Sequence, residues 1–278
     1  MKYLLDDFEK QRMLGTGAHG LVMLWRSRKD PHRKFAAKMF SPTREASFRR
    51  ETEIYQHNRG HPHLLALEAS IEQDGKCVHL FPFYDGGDLF GALKWMEKKR
   101  SSPATWTRDE RLSWLIDRWL EVADALRHMH ERCNWVHMDV KPENIFLSKD
   151  GTKAVLGDLG GSVKIGHRFD ERGCQTGTIS YWPPELLDRG RHTIALPSMD
   201  AFGMGKILVL ILNVLWDDMA LVPEPLAAVA IGLIESDPVQ RLSLAIASEM
   251  LVEHMRGQIK HDPLKNPPFL FGNWTVTV

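Results

Sequence analysis

Residues 136–147 read Val-His-Met-Asp-Val-Lys-Pro-Glu-Asn-Ile-Phe-Leu. This stretch puts Asp139, Lys141 and Asn144 on one short loop with apolar residues on either side, and Gly157-Asp158-Leu159-Gly160 follows a little downstream. The set holds a candidate base, a cation able to face phosphate, and two oxygen ligands for a hard metal. Transfer of a phosphoryl group from a metal-bound nucleotide requires those groups.

The loop resembles the catalytic loop of the eukaryotic-type protein kinases, H-R-D-L-x-x-x-N, and the later tetrapeptide resembles the segment that carries their D-F-G. Further matches run in order from about residue 8 to about residue 257. Gly15-Thr16-Gly17-Ala18-His19-Gly20-Leu21-Val22 fits G-x-G-x-x-G-x-V without a gap. Glycines there let backbone N–H groups approach phosphate oxygens. The same pattern occurs in dinucleotide-binding folds and in plain turns. Here a strand-like run follows it, whereas a helix follows it in the dinucleotide fold. Ala36-Ala37-Lys38, one strand later, is similar to the family's V-A-I-K.

What the resemblance implies can be stated residue by residue. Gly15, Gly17 and Gly20 would cover the phosphates, and Lys38 would pair with them. Its carboxylate partner would be Glu51, with Glu53 as the alternative. Leu80 to Asp88 resembles the segment joining two lobes. Phe81 would close the back of the adenine pocket, and Pro82 C=O and Tyr84 N–H would face the base. Val22 and Ala36 from above and Phe146 from below would sandwich it. Asp139 would accept the proton of the substrate hydroxyl, Lys141 would steady the transferring group, and Asn144 and Asp158 would hold magnesium, with manganese as an alternative. Lys141 together with Gly177-Thr178 resembles the serine/threonine branch. The implied function is transfer of the ATP γ-phosphate to Ser or Thr hydroxyls of protein substrates. The alternative is a pseudokinase, a nucleotide-binding scaffold without transfer activity.

The expected architecture is α+β and two-lobed. Strand-like runs at Phe8–Leu14, Leu21–Trp25, Phe35–Phe40, Leu64–Ser70 and Lys76–Phe81 surround a helix over residues 43–58. Helices dominate after residue 88; Leu112, Leu115, Ile116, Trp119, Val122, Ala123 and Leu126 share one helical face. Residues 1–85 are expected to form the ATP-binding lobe, residues 86–257 the catalytic and peptide-binding lobe, and residues 258–278 a tail. Lys94–Arg108 reads as an inserted, exposed segment. The run Ile207–Trp216 reads as a buried helix, far short of a membrane span.

Three departures from the family pattern matter. Leu159 stands where the family has Phe, and Pro183-Pro184-Glu185 stands for A-P-E, with Glu185 expected to pair with Arg241. Met138 replaces the Arg of H-R-D, which in many members grips a phosphate on the activation loop. The usual site of that phosphate is here Cys174. Site and receptor are both missing, so activity is expected to be independent of activation-loop phosphorylation. From Asp200 to Arg241 the chain is also roughly twenty residues shorter than the family usually has.

Bulk composition fits these readings. Hydrophobic residues are 43% and charged residues 26% of the 278, enough for a packed core. Lys plus Arg and Asp plus Glu number 36 each, so no net basic field points to nucleic acid. No membrane insertion is expected, and the pattern leaves oligomeric state open. Met1 to Asp7 meets acidic residues before any signal-like apolar core. Cys77, Cys133 and Cys174 form no C-x-x-C. A reducing, intracellular setting is therefore expected, cytoplasmic or nuclear, and an effector delivered into a host cell would meet the same conditions.

Overall fold

The computed structural model describes residues 3–17, 20–99, 106–169, 177–187 and 193–256. Its first third is a five-stranded antiparallel sheet in the order β1-β2-β3-β5-β4. The strands are β1 (Phe8–Gly17), β2 (Gly20–Ser27), β3 (Lys34–Phe40), β4 (Ala69–Gln73) and β5 (Lys76–Pro82). Alternation sorts their side chains to two faces. Phe8, Trp25, Phe35, Ala37, Ile71, Val78 and Leu80 form a closed cluster on one face. Helix α1 (Glu45–His57) covers the other and buries Phe48, Glu51, Ile54 and Tyr55. Asp74 and Gly75, both at positive φ, make the tight β4–β5 turn.

The expected strand at Leu64–Ser70 begins only at Ala69. Residues 63–65 pair instead with β8 (Ala154–Leu156): Leu65 N donates to Leu156 O at 2.8 Å and Leu156 N to His63 O at 2.9 Å. The apolar run is therefore a bridge between the sheet and the helical body, which alternation alone cannot distinguish from a strand.

The helical body contains α2 (Leu89–Lys98), α3 (Arg108–His128), α4 (Pro184–Leu187), α5 (Pro197–Leu215), α6 (Glu224–Leu233) and α7 (Leu244–Arg256). Leu115, Ile116, Trp119, Val122, Ala123 and Leu126 of α3 are buried in the main core with Met204, Ile207, Leu208 and Ile211 of α5. A π-helical turn, Met129–Cys133, and left-handed Asn134 end α3 and deliver the chain to β6 (Trp135–Val136). That strand pairs with β9 (Val163–Lys164), and β7 (Ile145–Leu147) pairs with β8. The two short hairpins flank the loop from His137 to Asn144.

Lys94–Lys98 belongs to α2; within the described parts of 94–108 Met96 and Trp106 are buried, while Lys94, Glu97, Lys98, Lys99, Thr107 and Arg108 are exposed as expected. Residues 100–105 lie outside the described set. Helix α5 is the buried helix expected from the resemblance, whose start is carried by residues 200–205, and it begins at Pro197; at 19 residues and mean hydropathy 1.6 it is long and apolar enough to cross a membrane, yet 72% of that window is buried in the protein. The tail beyond residue 256, and Cys174, lie outside the described residues.

Candidate active site

The loop 137–144 is held from behind by a buried carboxylate at the start of α5. Asp200 Oδ2 accepts from His137 N–H at 2.7 Å and from His130 Nε2 at 2.8 Å, and Oδ1 accepts from Met138 N–H at 2.9 Å. Burial opposes ionisation of Asp200, but His130 and the backbone donors outweigh it, so the carboxyl sits below its usual pKa. His137 is fully buried. Its Nε2 contacts Gly157 O at 3.0 Å, and a carbonyl only accepts, so the proton is on Nε2; Nδ1 accepts from Asp139 N–H at 3.2 Å.

Met138 has φ 72°, is buried, and packs with Val136, Leu186, Ala195 and Met199 and with Val163, Ile165, Phe169 and Trp182. Where the resemblance led one to expect an Arg, an apolar plug ties this loop to β9, to the segment after it and to α4.

Asp139 is fixed from three directions. Oδ1 accepts Thr178 N–H at 2.9 Å, while Oδ2 takes Asn144 Nδ2 at 3.0 Å and Lys141 Nζ at 3.0 Å. Lys141 Nζ also donates to Thr178 Oγ1 at 2.8 Å. Asn144 Nδ2 donates a second bond to Asp139 O at 2.8 Å, so the oxygen of its carboxamide points away from Asp139.

Lys38 on β3 faces this loop across an open cleft. Its Nζ lies 2.8 and 2.9 Å from the two carboxylate oxygens of Glu51 and 2.9 Å from Asp158 Oδ1. Burial alone would depress the ammonium pKa; Asp158 and Glu51 outweigh it and raise it above the ordinary lysine value. A buried ion pair is a poor stabiliser because desolvation cancels much of the attraction, so its place at a cleft points to chemistry. The neighbouring carboxylate, Glu53, has no part in this pairing: its backbone C=O contacts His57 Nδ1.

The cleft holds about 740 Å³ of empty space, its open mouth included, and suits a small organic ligand. Gly20, Val22, Ala36, Lys38, Glu51, Phe81, Pro82, Tyr84, Phe146 and Asp158 of the expected set line it, together with Leu14, Tyr55, Leu65 and Phe83. Gly15 and Gly17 sit on the β1 side of the same hairpin, paired with Val22 and Gly20. Gly20 has φ 140°, and a Cβ there would lie 2.3 Å from Met39 O, so no other residue fits. Leu14, Val22, Ala36, Phe83 and Phe146 form the apolar sandwich. Phe81 closes the back against the Tyr55 ring at 4.9 Å.

Two side chains that individual motifs did not reveal link α1 to the Asp158 segment. Arg50 Nη1 donates to Gly160 O at 2.7 Å, and Nη2 donates to Ser162 O. Tyr55 Oη accepts Leu159 N–H at 3.3 Å, with its phenol pushed well above the ordinary value by burial and then by Glu51 and Asp158. With Glu51, these residues lie at spacings of one and four, which one helical face can present together. Asp88, by contrast, is buried and accepts Gly91 N–H at 2.8 Å as the N-cap of α2. Glu143 Oε2 is buried without a hydrogen-bond partner, and Glu143 adds to burial in raising the nearby Tyr181 phenol to about 12.

The oxygen donors of Asp158 and Asn144 fit a hard divalent cation. Among the described residues no three His, Cys, Asp or Glu side chains are grouped to hold a metal by themselves. Two oxygen-bearing side chains supplemented by substrate phosphates is the usual arrangement for magnesium.

Comparison with known proteins gives a match over residues 8–220 to the family described as the protein kinase domain. The chain is 27% identical over 204 residues to "Serine/threonine-protein kinase Nek5" of Mus musculus, covering 73% of this chain and 30% of that protein. It is 30% identical over 194 residues to "Aurora kinase" of Dictyostelium discoideum, covering 68% and 46%. It is 30% identical over 201 residues to "Aurora/IPL1-related protein kinase 2" of Caenorhabditis elegans, covering 70% and 60%. The matched region thus spans less than two thirds of the length of each of these relatives.

Proposed function

The chain belongs to the protein kinase family, and on that premise we propose that it transfers the ATP γ-phosphate to Ser or Thr hydroxyls of protein substrates without needing a phosphate on its activation loop. The observation that carries the transfer reading is the closed Lys38–Glu51–Asp158 contact facing an Asp139 already oriented by Thr178, Asn144 and Lys141. Names of serine/threonine kinases among the relatives support the hydroxyl class.

Each residue has a defined task. Lys38, held charged, binds the α- and β-phosphates while Val22, Ala36 and Phe146 enclose the base. Asp139 orients the incoming hydroxyl and takes its proton. Lys141 offsets charge on the transferring group, and its bond to Thr178 couples that cation to the substrate-facing shelf. Asn144 and Asp158 would hold magnesium, which when bound supplies charge neutralisation at the β- and γ-phosphates.

Phosphate independence is supported by the Met138 plug and by Arg50. An unpaired Arg beside Asp139 would need an anion to settle it, whereas Met138 is satisfied by apolar neighbours. Arg50 meanwhile binds backbone carbonyls of the segment.

The test is ATP turnover on a degenerate Ser/Thr/Tyr peptide library, before and after phosphatase treatment. Phosphorylated Ser and Thr at an unchanged rate after treatment is the expected result, with Lys38→Met and Asp139→Ala slower by about 10²–10⁴-fold. No product above background from wild type, as from Asp139→Ala, would leave a nucleotide-binding scaffold as the reading. Loss of activity on dephosphorylation would show that a phosphate receptor exists elsewhere.

A further inference from the structure

We propose that His79 is a positioning residue for the Lys38–Glu51 pair: it anchors α1 to the sheet through Thr52 and presents Glu51 with a ring nitrogen that carries no proton. This rests on the reading of Lys38–Glu51 as part of the transfer site.

Alternation along β5 sends Cys77, His79 and Phe81 to the α1 face and Val78 and Leu80 to the other cluster. A fully buried imidazole on that inner face needs hydrogen-bond partners, and His79 is 0% exposed. It lies opposite Lys38 in the β3–β5 register. Its ring stacks on Phe48 at 4.6 Å and meets the edge of Phe40 at 4.8 Å, which fixes its plane.

The proton can be assigned from the partners. Thr52 Oγ1 donates its single hydrogen to Phe48 O at 2.9 Å. It must therefore accept from His79 Nε2, 2.8 Å away. Neutral His79 then has only a lone pair on Nδ1. That atom is buried without a partner and lies 3.6 Å from Glu51 Oε1. Two acceptors face each other, so Glu51 gains nothing by turning toward His79 and stays on Lys38. A proton on Nδ1 would reverse this, because the imidazolium would become a charged donor competing with Lys38 for the same oxygen.

The titratable groups facing the ring are Glu51 and Tyr55 from α1 and Lys38 from β3; Ser70 of β4 reaches it only through Thr52. Burial first, and the Lys38 ammonium as well, hold the imidazole below its ordinary value despite Glu51. The ring is thus neutral near pH 7, and its favourable contribution is present above the unfolded value and lost as pH falls through the lowered folded one.

The experiment combines kinetics and nitrogen NMR on the full chain. His79→Phe keeps the ring packing and removes both nitrogens, Thr52→Val removes the acceptor, and His79→Gln restores a donor near Nε2. The expected result is a fall in kcat of about ten- to a hundredfold for His79→Phe and Thr52→Val with melting temperatures near wild type, non-additive in the double variant, and recovery of most of the rate in His79→Gln. The acid limb of the wild-type kcat profile should shift in His79→Phe. In wild-type protein, NMR should show one tautomer with the proton on Nε2, and Thr52→Val should mix the tautomers. Wild-type transfer with an unchanged rate and acid limb in His79→Phe would overturn the proposal. Absence of transfer in wild type would instead remove the kinase reading, and the tautomer would still decide the anchoring role: a proton on Nδ1 would refute it.

Discussion

Single residues at the centre of this molecule are constrained more tightly than their exposure suggests. A Cβ added at Gly160 would come within 2.7 Å of Glu51 Oε2. Gly160→Ala should therefore displace the Glu51 carboxylate from Lys38 and reduce kcat by about ten- to a hundredfold while thermal unfolding changes little, a split readable from steady-state kinetics beside a melting curve. Met138 offers the opposite test. Met138→Arg would put a cation among the apolar side chains of Leu186, Ala195, Met199 and Phe169, and should cost roughly 2–4 kcal/mol in a denaturant titration. An unchanged midpoint would mean that the pocket is wetter or more acidic than its lining indicates. Lys38, Asp139, Asn144 and Asp158 were readable from sequence because each belongs to a short contiguous pattern. Arg50, Tyr55 and His79 were not, since their partners are another residue type one strand or a hundred residues away, and no local spacing encodes that.

Helices and strands carry a similar mixture. The strands bearing the glycines and Lys38, and helix α1, were legible because apolar alternation and glycine punctuation coincide there. The start of β4 was not, because Leu64 and Leu65 are apolar for the sake of the helical body. The beginning of α3, at Arg108, lies four residues before Leu112, the first position of its apolar face, and its signal is a cap. Thr107-Arg108-Asp109-Glu110 is a capping box in which Glu110 N–H donates to Thr107 Oγ1 at 3.2 Å and Thr107 N–H donates to Glu110 Oε2 at 2.8 Å. The cluster of Ser and Thr preceding it reads as loop and masks the cap. Thr107→Ala should cost about 1 kcal/mol and lower the melting temperature by a few degrees without altering turnover. Helix α1 acts as a unit, because Tyr55 and Arg50 bind Leu159, Gly160 and Ser162 directly, while Glu51 is joined to Asp158 through Lys38. Its position and that segment's should shift together in any variant that disturbs either.

Across the whole molecule, one ion pair joins distant parts of the helical body. Arg241, with its side chain fully buried, holds both oxygens of Glu185 at 2.7 and 2.8 Å and also reaches Ser198 O and Glu235 O. The pairing was expected from sequence, but its backbone contacts were not, since carbonyl groups leave no trace in residue type. Arg241→Ala leaves Glu185 without its counter-ion and should cost roughly 3–5 kcal/mol, measurable as an earlier unfolding transition of the helical body. The opposite outcome, a shift under 1 kcal/mol, would mean that Glu185 finds water or another cation. A different consequence follows from α5. In the finished protein this apolar rod is hidden among α2, α3 and α6, but the ribosome produces it before α6. Leu233, the end of α6, emerges eighteen residues after Leu215. At roughly 5–20 residues per second, the rod stands uncovered for about one to four seconds. During that interval it carries the length and greasiness of a bilayer-spanning segment. The delay before α6 arrives thus sets how long that apolar face is open to other apolar surfaces.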